Sequence, residues 1–300
     1  MKPKWAREIE RFLAIKPQFL LYGNVNDVFP AELSGGVATL GLPDYLRELL
    51  VNRETALVAM YEPLLGFSLL YGDPELFRTL TGHPLASGGF LPATLEKAGE
   101  IALALSASTR GHTALILRFA SRMKELCEND VEPFFYRMFR LSIEAVPRIA
   151  GVPEGCEDAR ERRPRYNPLF WILDKENDLP PWYILDNPRI RVLPLPRPDN
   201  ELRSCIVGAV SSKIEGYGEL DEEQRNANLA LFRDQTTGLL AGEIAAIAQM
   251  ARHEQLRFSQ IGDTIRRYKL GIQENMWEKL EKDKINSSEA FLSARVMGQP

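Results

Sequence analysis

Residues 169–203 read LFWILDKENDLPPWYILDNPRIRVLPLPRPDNELR. Leu169–Leu173 is an uninterrupted apolar run of strand length. Asn177-Asp178 ahead of Leu179-Pro180-Pro181 is strong turn chemistry and closes that strand. Ile190–Leu195 is a second, short strand that ends in the proline-rich PLPRPD, and the helical pattern Asn200–Ile214 follows.

Outward from this stretch the same texture repeats toward the N-terminus. Gln18–Tyr22 (QFLLY, closed by Gly23-Asn24), Ala56–Tyr61 (ALVAMY) and Thr113–Leu117 (TALIL) are further apolar runs of strand length. Trp5, Ile9, Phe12 and Leu13 recur at helical spacing. Asp44–Val51, Pro74–Leu80 (with Asp73 as N-cap), Pro92–Leu105 and Glu132–Val146 also read as helices. Near-continuous apolar strands separated by helices imply an α/β domain built on a five-stranded parallel sheet with helices on both faces. After Asp199 only helices are expected: Asn200–Ile214, Asp221–Phe232, Leu240–Glu254, Phe258–Leu270 and Gln273–Lys282. The division expected is an α/β domain over 1–205, a small all-α domain over 206–285 and a linker over 286–300. Val152–Asn167, rich in charge and proline, reads as an exposed loop.

Composition bounds the function classes. The chain has 300 residues, 45 % hydrophobic and 26 % charged, the profile of a globular protein rather than a disordered or collagen-like one. A net charge of −4 supplies no global field toward nucleic acid or anionic lipid. Cys127, Cys156 and Cys205 are an odd number with no Cys-x-x-Cys spacing, and His83, His112 and His253 are far apart. No metal site, no disulfide framework and a reducing, cytoplasmic compartment are expected. The N-terminal stretch lacks the apolar core of a signal peptide, and no run approaches ~18 apolar residues, so no membrane contact is expected. Catalytic motifs such as Gly-x-Ser-x-Gly, His-Glu-x-x-His or a strand-linked Gly-x-Gly-x-x-Gly are absent, and no catalytic residue is assigned. Glu222-Glu223 and the pair Asp27 with Glu32 read as surface acids.

The strand–turn–strand–Pro-Asp pattern of 169–203 resembles the AAA+ ATPase superfamily. There the fourth strand ends in a polar sensor, usually Asn, followed by arginines, a fifth strand and a Pro-Asp…Arg sequence opening the next helix. Asn177, Arg189, Arg191, Pro198-Asp199 and Arg203 look like these landmarks. Gln235–Ala251 is similar to the glycine-led lid helix of the family. The resemblance implies an AAA+ sheet domain followed by a helical lid.

The same resemblance implies where nucleotide chemistry belongs. A phosphate-binding loop needs glycines that free backbone N–H groups to wrap phosphates, a lysine for the β/γ oxygens and a hydroxyl for Mg²⁺. The slot after the first strand keeps Gly23, but the second glycine, the lysine and the hydroxyl are replaced by Val28, Phe29 and Pro30. The Mg²⁺-organising carboxylate and the general base expected at the end of the third strand are Arg118 and Phe119. Arg118 either fills the vacated phosphate space or turns outward at the strand end. These positions imply a nucleotide-degenerate module that takes no cofactor itself.

The C-terminal Arg295-Val-Met-Gly-Gln299 resembles the lead-in to a Clp-like AAA+ module. It implies a tandem protein whose downstream module uses ATP and Mg²⁺. The family further implies a homo-oligomeric ring, six subunits being usual, and a protein partner or substrate. Arg189 or Arg191 is either a trans-acting finger toward a neighbour's nucleotide or a surface arginine beside an edge strand. Arg160, Arg162, Arg163 and Arg165, beside Tyr166, form a local basic cluster that serves as a pore or partner loop, contacts nucleic acid, or is simply solvated. Trp171, Trp182 and Tyr183 are expected in the core or at a subunit interface. Two rivals remain: an ATP-binding or hydrolysing AAA+ module with an unorthodox site, and a nucleic-acid-handling module using residues 158–165.

Overall fold

A computed structural model of the chain describes residues 2–33, 36–149 and 164–270. Arg160, Arg162, Arg163, Cys156, the expected helix 273–282 and the C-terminal phrase 295–299 lie outside the described residues. The chain divides into two compact units, Met1–Ile206 with Leu240–Gly242, and Val207–Leu239 with Glu243–Pro300.

In the first unit the strands are β1 (Gln18–Gly23), β2 (Val28–Leu33), β3 (Gly36–Gly41), β4 (Thr55–Glu62), β5 (Gly66–Tyr71), β6 (Phe90–Leu91), β7 (His112–Leu117), β8 (Leu169–Leu173) and β9 (Ile190–Leu195). Its helices are α1 (Lys4–Phe12), α2 (Leu42–Val51), α3 (Pro74–Thr81), α4 (Leu95–Ser106), α5 (Met123–Leu126), α6 (Val131–Glu144), α7 (Pro181–Ile184) and the start of α8 (Asn200–Ser211). Seven strands form the main sheet in the order β6-β5-β4-β7-β8-β1-β9. The five expected strands β4, β7, β8, β1 and β9 are mutually parallel. The sheet is wider than the sequence reading by the antiparallel strands β5 and β6. Residues 66–71, GFSLLY, carry no clean alternation that would mark a strand. Asp73 caps α3 as expected, its Oδ1 accepting the Glu75 N–H at 2.9 Å. The helix expected from Pro92 begins only at Leu95, because Phe90-Leu91 pair with β5 first.

Alternation along the buried strands sends side chains to two cores. On one face Leu20, Leu57, Leu115, Leu117 and Trp171 pack with α3, α4 and α6 through Phe77, Ile101, Phe134 and Phe135. On the other, Phe19, Leu21, Val58, Ile116, Phe170 and Leu193 pack with α1, α2 and β2 through Trp5, Ile9, Leu46 and Phe29. The polar side chain of Gln18, on β1, is fully buried. Its Nε2–H donates to the Met138 carbonyl at 2.8 Å, and its Oε1 accepts from Tyr183 Oη at 2.5 Å and Trp171 Nε1 at 3.3 Å. Burial pushes the Tyr183 phenol well above its ordinary value.

In the second unit, α9 (Glu222–Gln235), the body of α10 (Ala241–His253) and α11 (Ile261–Leu270) bury Phe232, Ile244 and Ile247, and Ile265 respectively, and Phe258 is buried just before α11. The expected helix 258–270 opens as a 3-10 turn over Phe258–Gln260 before α11. No helix among the described residues is long and apolar enough to cross a membrane.

Gln18→Leu keeps the side chain's bulk but strands the Tyr183 hydroxyl and the Trp171 N–H. We expect it to lower unfolding free energy by about 2–4 kcal/mol in urea titrations.

Candidate functional site

At the C-terminal edge of the sheet, β1 emerges between the ends of β8 and β9 into the loop Gly23–Asp27. Its route is set by backbone bonds to both neighbours: Gly23 N–H donates to the Asp174 carbonyl at 3.2 Å and Asn24 N–H to the Leu195 carbonyl at 2.9 Å. Gly23 has φ +95°, and a Cβ there would lie 3.1 Å from the Leu195 carbonyl oxygen, so the tight exit itself requires glycine.

After the loop comes no helix but a hairpin, β2 paired antiparallel with β3, with Phe29 opposite Leu40 and Pro30 opposite Thr39. Val28, Phe29 and Pro30 therefore lie in an extended strand, not in a turn leading to a helix. Phe29 is 2 % exposed. Its ring meets Trp5 edge-on at 5.1 Å and Tyr45 at 6.0 Å. Pro30 lies in a two-stranded ladder, where every strand is an edge and a missing N–H is tolerated.

Asp27 overturns its reading as a surface acid. It is 5 % exposed, and four N–H groups converge on its carboxylate. Oδ1 accepts from Val28 N at 2.9 Å and Gly242 N at 2.7 Å. Oδ2 accepts from Asn24 Nδ2 at 2.8 Å and Ala241 N at 2.9 Å. Residues 240–242 belong to the first unit, so these bonds are internal to it. Sequence reasoning missed this because two donors stand 214 and 215 positions away and leave no local pattern.

Arg118 and Phe119 sit just past β7. The Arg118 guanidinium lies 3.8 Å from the Glu62 carboxylate at the end of β4, and it stacks on Phe119 at 4.4 Å. Since β4 and β8 flank β7 on opposite sides, this pairing turns Arg118 away from β1 and its loop. Phe119 is 41 % exposed with φ +54°, a conformation rare for a side-chain-bearing residue. Asn177 is exposed in a 3-10 turn, Glu176–Asp178, after β8.

The other candidates are not gathered here. Arg189 precedes β9, at the opposite end of that strand from the Leu195 carbonyl, and donates to Tyr166 Oη at 2.8 Å. Arg191 donates to Glu8 at 2.8 Å and covers the Phe12 ring at 4.4 Å. Arg165 exchanges backbone hydrogen bonds with Arg148 at 2.8 and 3.0 Å, and its guanidinium lies 3.5 Å from Thr55 Oγ1 at the start of β4. Burial holds its guanidinium below the ordinary arginine range. Arg203 is spent on the start of α8, donating to the Pro198 carbonyl and Asn200 Oδ1. Trp171 and Tyr183 are buried, while Trp182 is half exposed and rests edge-on against Phe139 at 5.6 Å. Among the described residues no cluster of three or more His, Cys, Asp or Glu is placed to hold a metal.

The family model for the AAA+ chaperone, N-terminal Rossmann-like domain, covers residues 1–196. The chain belongs to this AAA+ chaperone family. No curated protein matches it. The loop's Val28 N–H and the nearby Ala241 and Gly242 N–H groups already serve Asp27, Phe29 is uncharged and in the core, and Arg118 faces Glu62.

Phe29→Ala should cost about 3–5 kcal/mol of stability, the range for emptying a buried aromatic site. Phe29→Lys should cost at least as much in the same denaturation assay, without gaining ATP affinity, because its ammonium must enter the Trp5–Tyr45 core or break it open. The buried Tyr45 phenol gives a pH test. Burial, and then the Glu10 carboxylate, push it up to about 12. An unfolded tyrosine ionises near pH ~10, so this stabilisation is whole below that and is lost as pH climbs from about 10 to about 12. Urea midpoints should fall over that window, less steeply in Tyr45→Phe.

Proposed function

We propose that this chain is a nucleotide-degenerate AAA+ module that serves ring assembly, regulation or partner docking in the cytoplasm. ATP hydrolysis falls to a downstream AAA+ module, which takes the ATP and Mg²⁺. The head-to-tail surfaces of a closed ring, six subunits being the expectation, supply its mechanism, and its partners are proteins. The observation that carries this reading is Phe29: where a phosphate loop needs a cation at the start of a helix, an uncharged ring lies in the core on a strand. Membership of an AAA+ chaperone family supports a protein partner. Arg165, tied by its backbone to Arg148 and drawn toward Thr55, speaks against a nucleic-acid role for the 158–165 stretch.

The test is ATP affinity and turnover of residues 1–300 beside a chain extended past Pro300. The expected result is no turnover and no micromolar binding by the 300 residues, with turnover by the longer chain. Micromolar ATP binding by the 300 residues would overturn the reading in favour of an unorthodox nucleotide site.

A further inference from the structure

A carboxylate in water satisfies its oxygens cheaply, so one that is 5 % exposed needs a full set of donors in place. Asp27 has that set. A carboxylate offers roughly four acceptor sites, and here each oxygen takes two N–H groups. Three of the four donors are backbone amides, the same groups with which protein loops hold phosphate. Two of them, on Ala241 and Gly242, are consecutive amides of the short 240–242 segment that belongs to the first unit. The fit is close: a Cβ on Gly242 would come within 3.3 Å of Oδ1. The acid also lies in the loop after β1, just before the strand that carries Phe29.

We propose that the Asp27 carboxylate is a built-in anion that occupies an amide site suited to a phosphate-class ligand and keeps that site closed. This deepens the nucleotide-degenerate reading and rests on it: the module lacks the charges for ATP and also fills its own anion position. A small neutral residue at 27 vacates that position and leaves the amides of Val28, Ala241 and Gly242 open to inorganic phosphate or pyrophosphate.

The test compares the 300-residue wild type with Asp27→Ala, and with Asp44→Ala as a control for loss of a half-exposed acid. Thermal melting is followed against rising pyrophosphate, with ionic strength held constant by sodium chloride. Asp27→Ala should melt lower than wild type in chloride and regain melting temperature with saturable dependence on pyrophosphate, whereas wild type and Asp44→Ala should not respond. If Asp27→Ala is unfolded in chloride, its folding in pyrophosphate supports the proposal. Failure to fold at any pyrophosphate concentration overturns it. A folded Asp27→Ala that responds no more than wild type also overturns it, while the nucleotide-degenerate reading stands. That reading is judged separately, by ATP binding to the wild type. Asp27→Asn supplies an independent measurement. Amide exchange at Ala241 and Gly242 should accelerate about tenfold or more once the charge is gone, and unchanged exchange there refutes the carboxylate's part.

Discussion

Strand β1 is hydrogen-bonded along both edges, to β8 and to β9, and its two side-chain rows pack into the two cores. Such a strand is viable only under cover on both faces, and that requirement organises the first unit. α3, α4 and α6 supply one cover. On the other face α1 and α2 leave part of the job to the hairpin β2–β3, which brings Phe29 and Ala31 down beside Trp5 and Tyr45. The segment immediately after β1 is thus committed to packing.

That commitment competes directly with nucleotide chemistry. A phosphate loop must leave β1 as an open turn with free amides and pass into a helix whose first residues face the ligand. A hairpin strand uses its amides in a ladder and its alternate side chains as core. Residues 28–31 run in that ladder, and Phe29 is buried in the core. Gly23 survives under either regime because its φ of +95° and its approach to Leu195 are demands of the exit from β1, not of a ligand.

The five parallel strands were legible because each is a short apolar run, and tertiary burial on two faces leaves that plain mark. The Asp73 cap was legible because its partner is two residues away. The hairpin was not, since VFPAEL contains a proline and only a partial alternation. Strand β5 escaped for a similar reason. Arg118 could be placed at a strand end from sequence, but its direction depends on Glu62 at the end of the neighbouring strand. The candidate arginines show the same limit: Arg191 reads as a free cation until Glu8 and Phe12 of α1 are brought against it.

Asp27 was the largest miss, and its chemistry explains why such a residue is needed. The first amides of any helix lack intrahelical partners, and a buried amide without an acceptor costs on the order of 1–3 kcal/mol. Where a bound anion supplies the acceptor, the protein need not. Where none is bound, those amides must meet water, a cap or an acid from elsewhere in the chain. The Asp27 carboxylate meets Ala241 and Gly242 from across the unit while also taking Val28 and Asn24. The acid therefore solves two problems at once. It satisfies amides that a packed interior cannot leave open, and it fixes the loop from which the core-forming strand β2 departs.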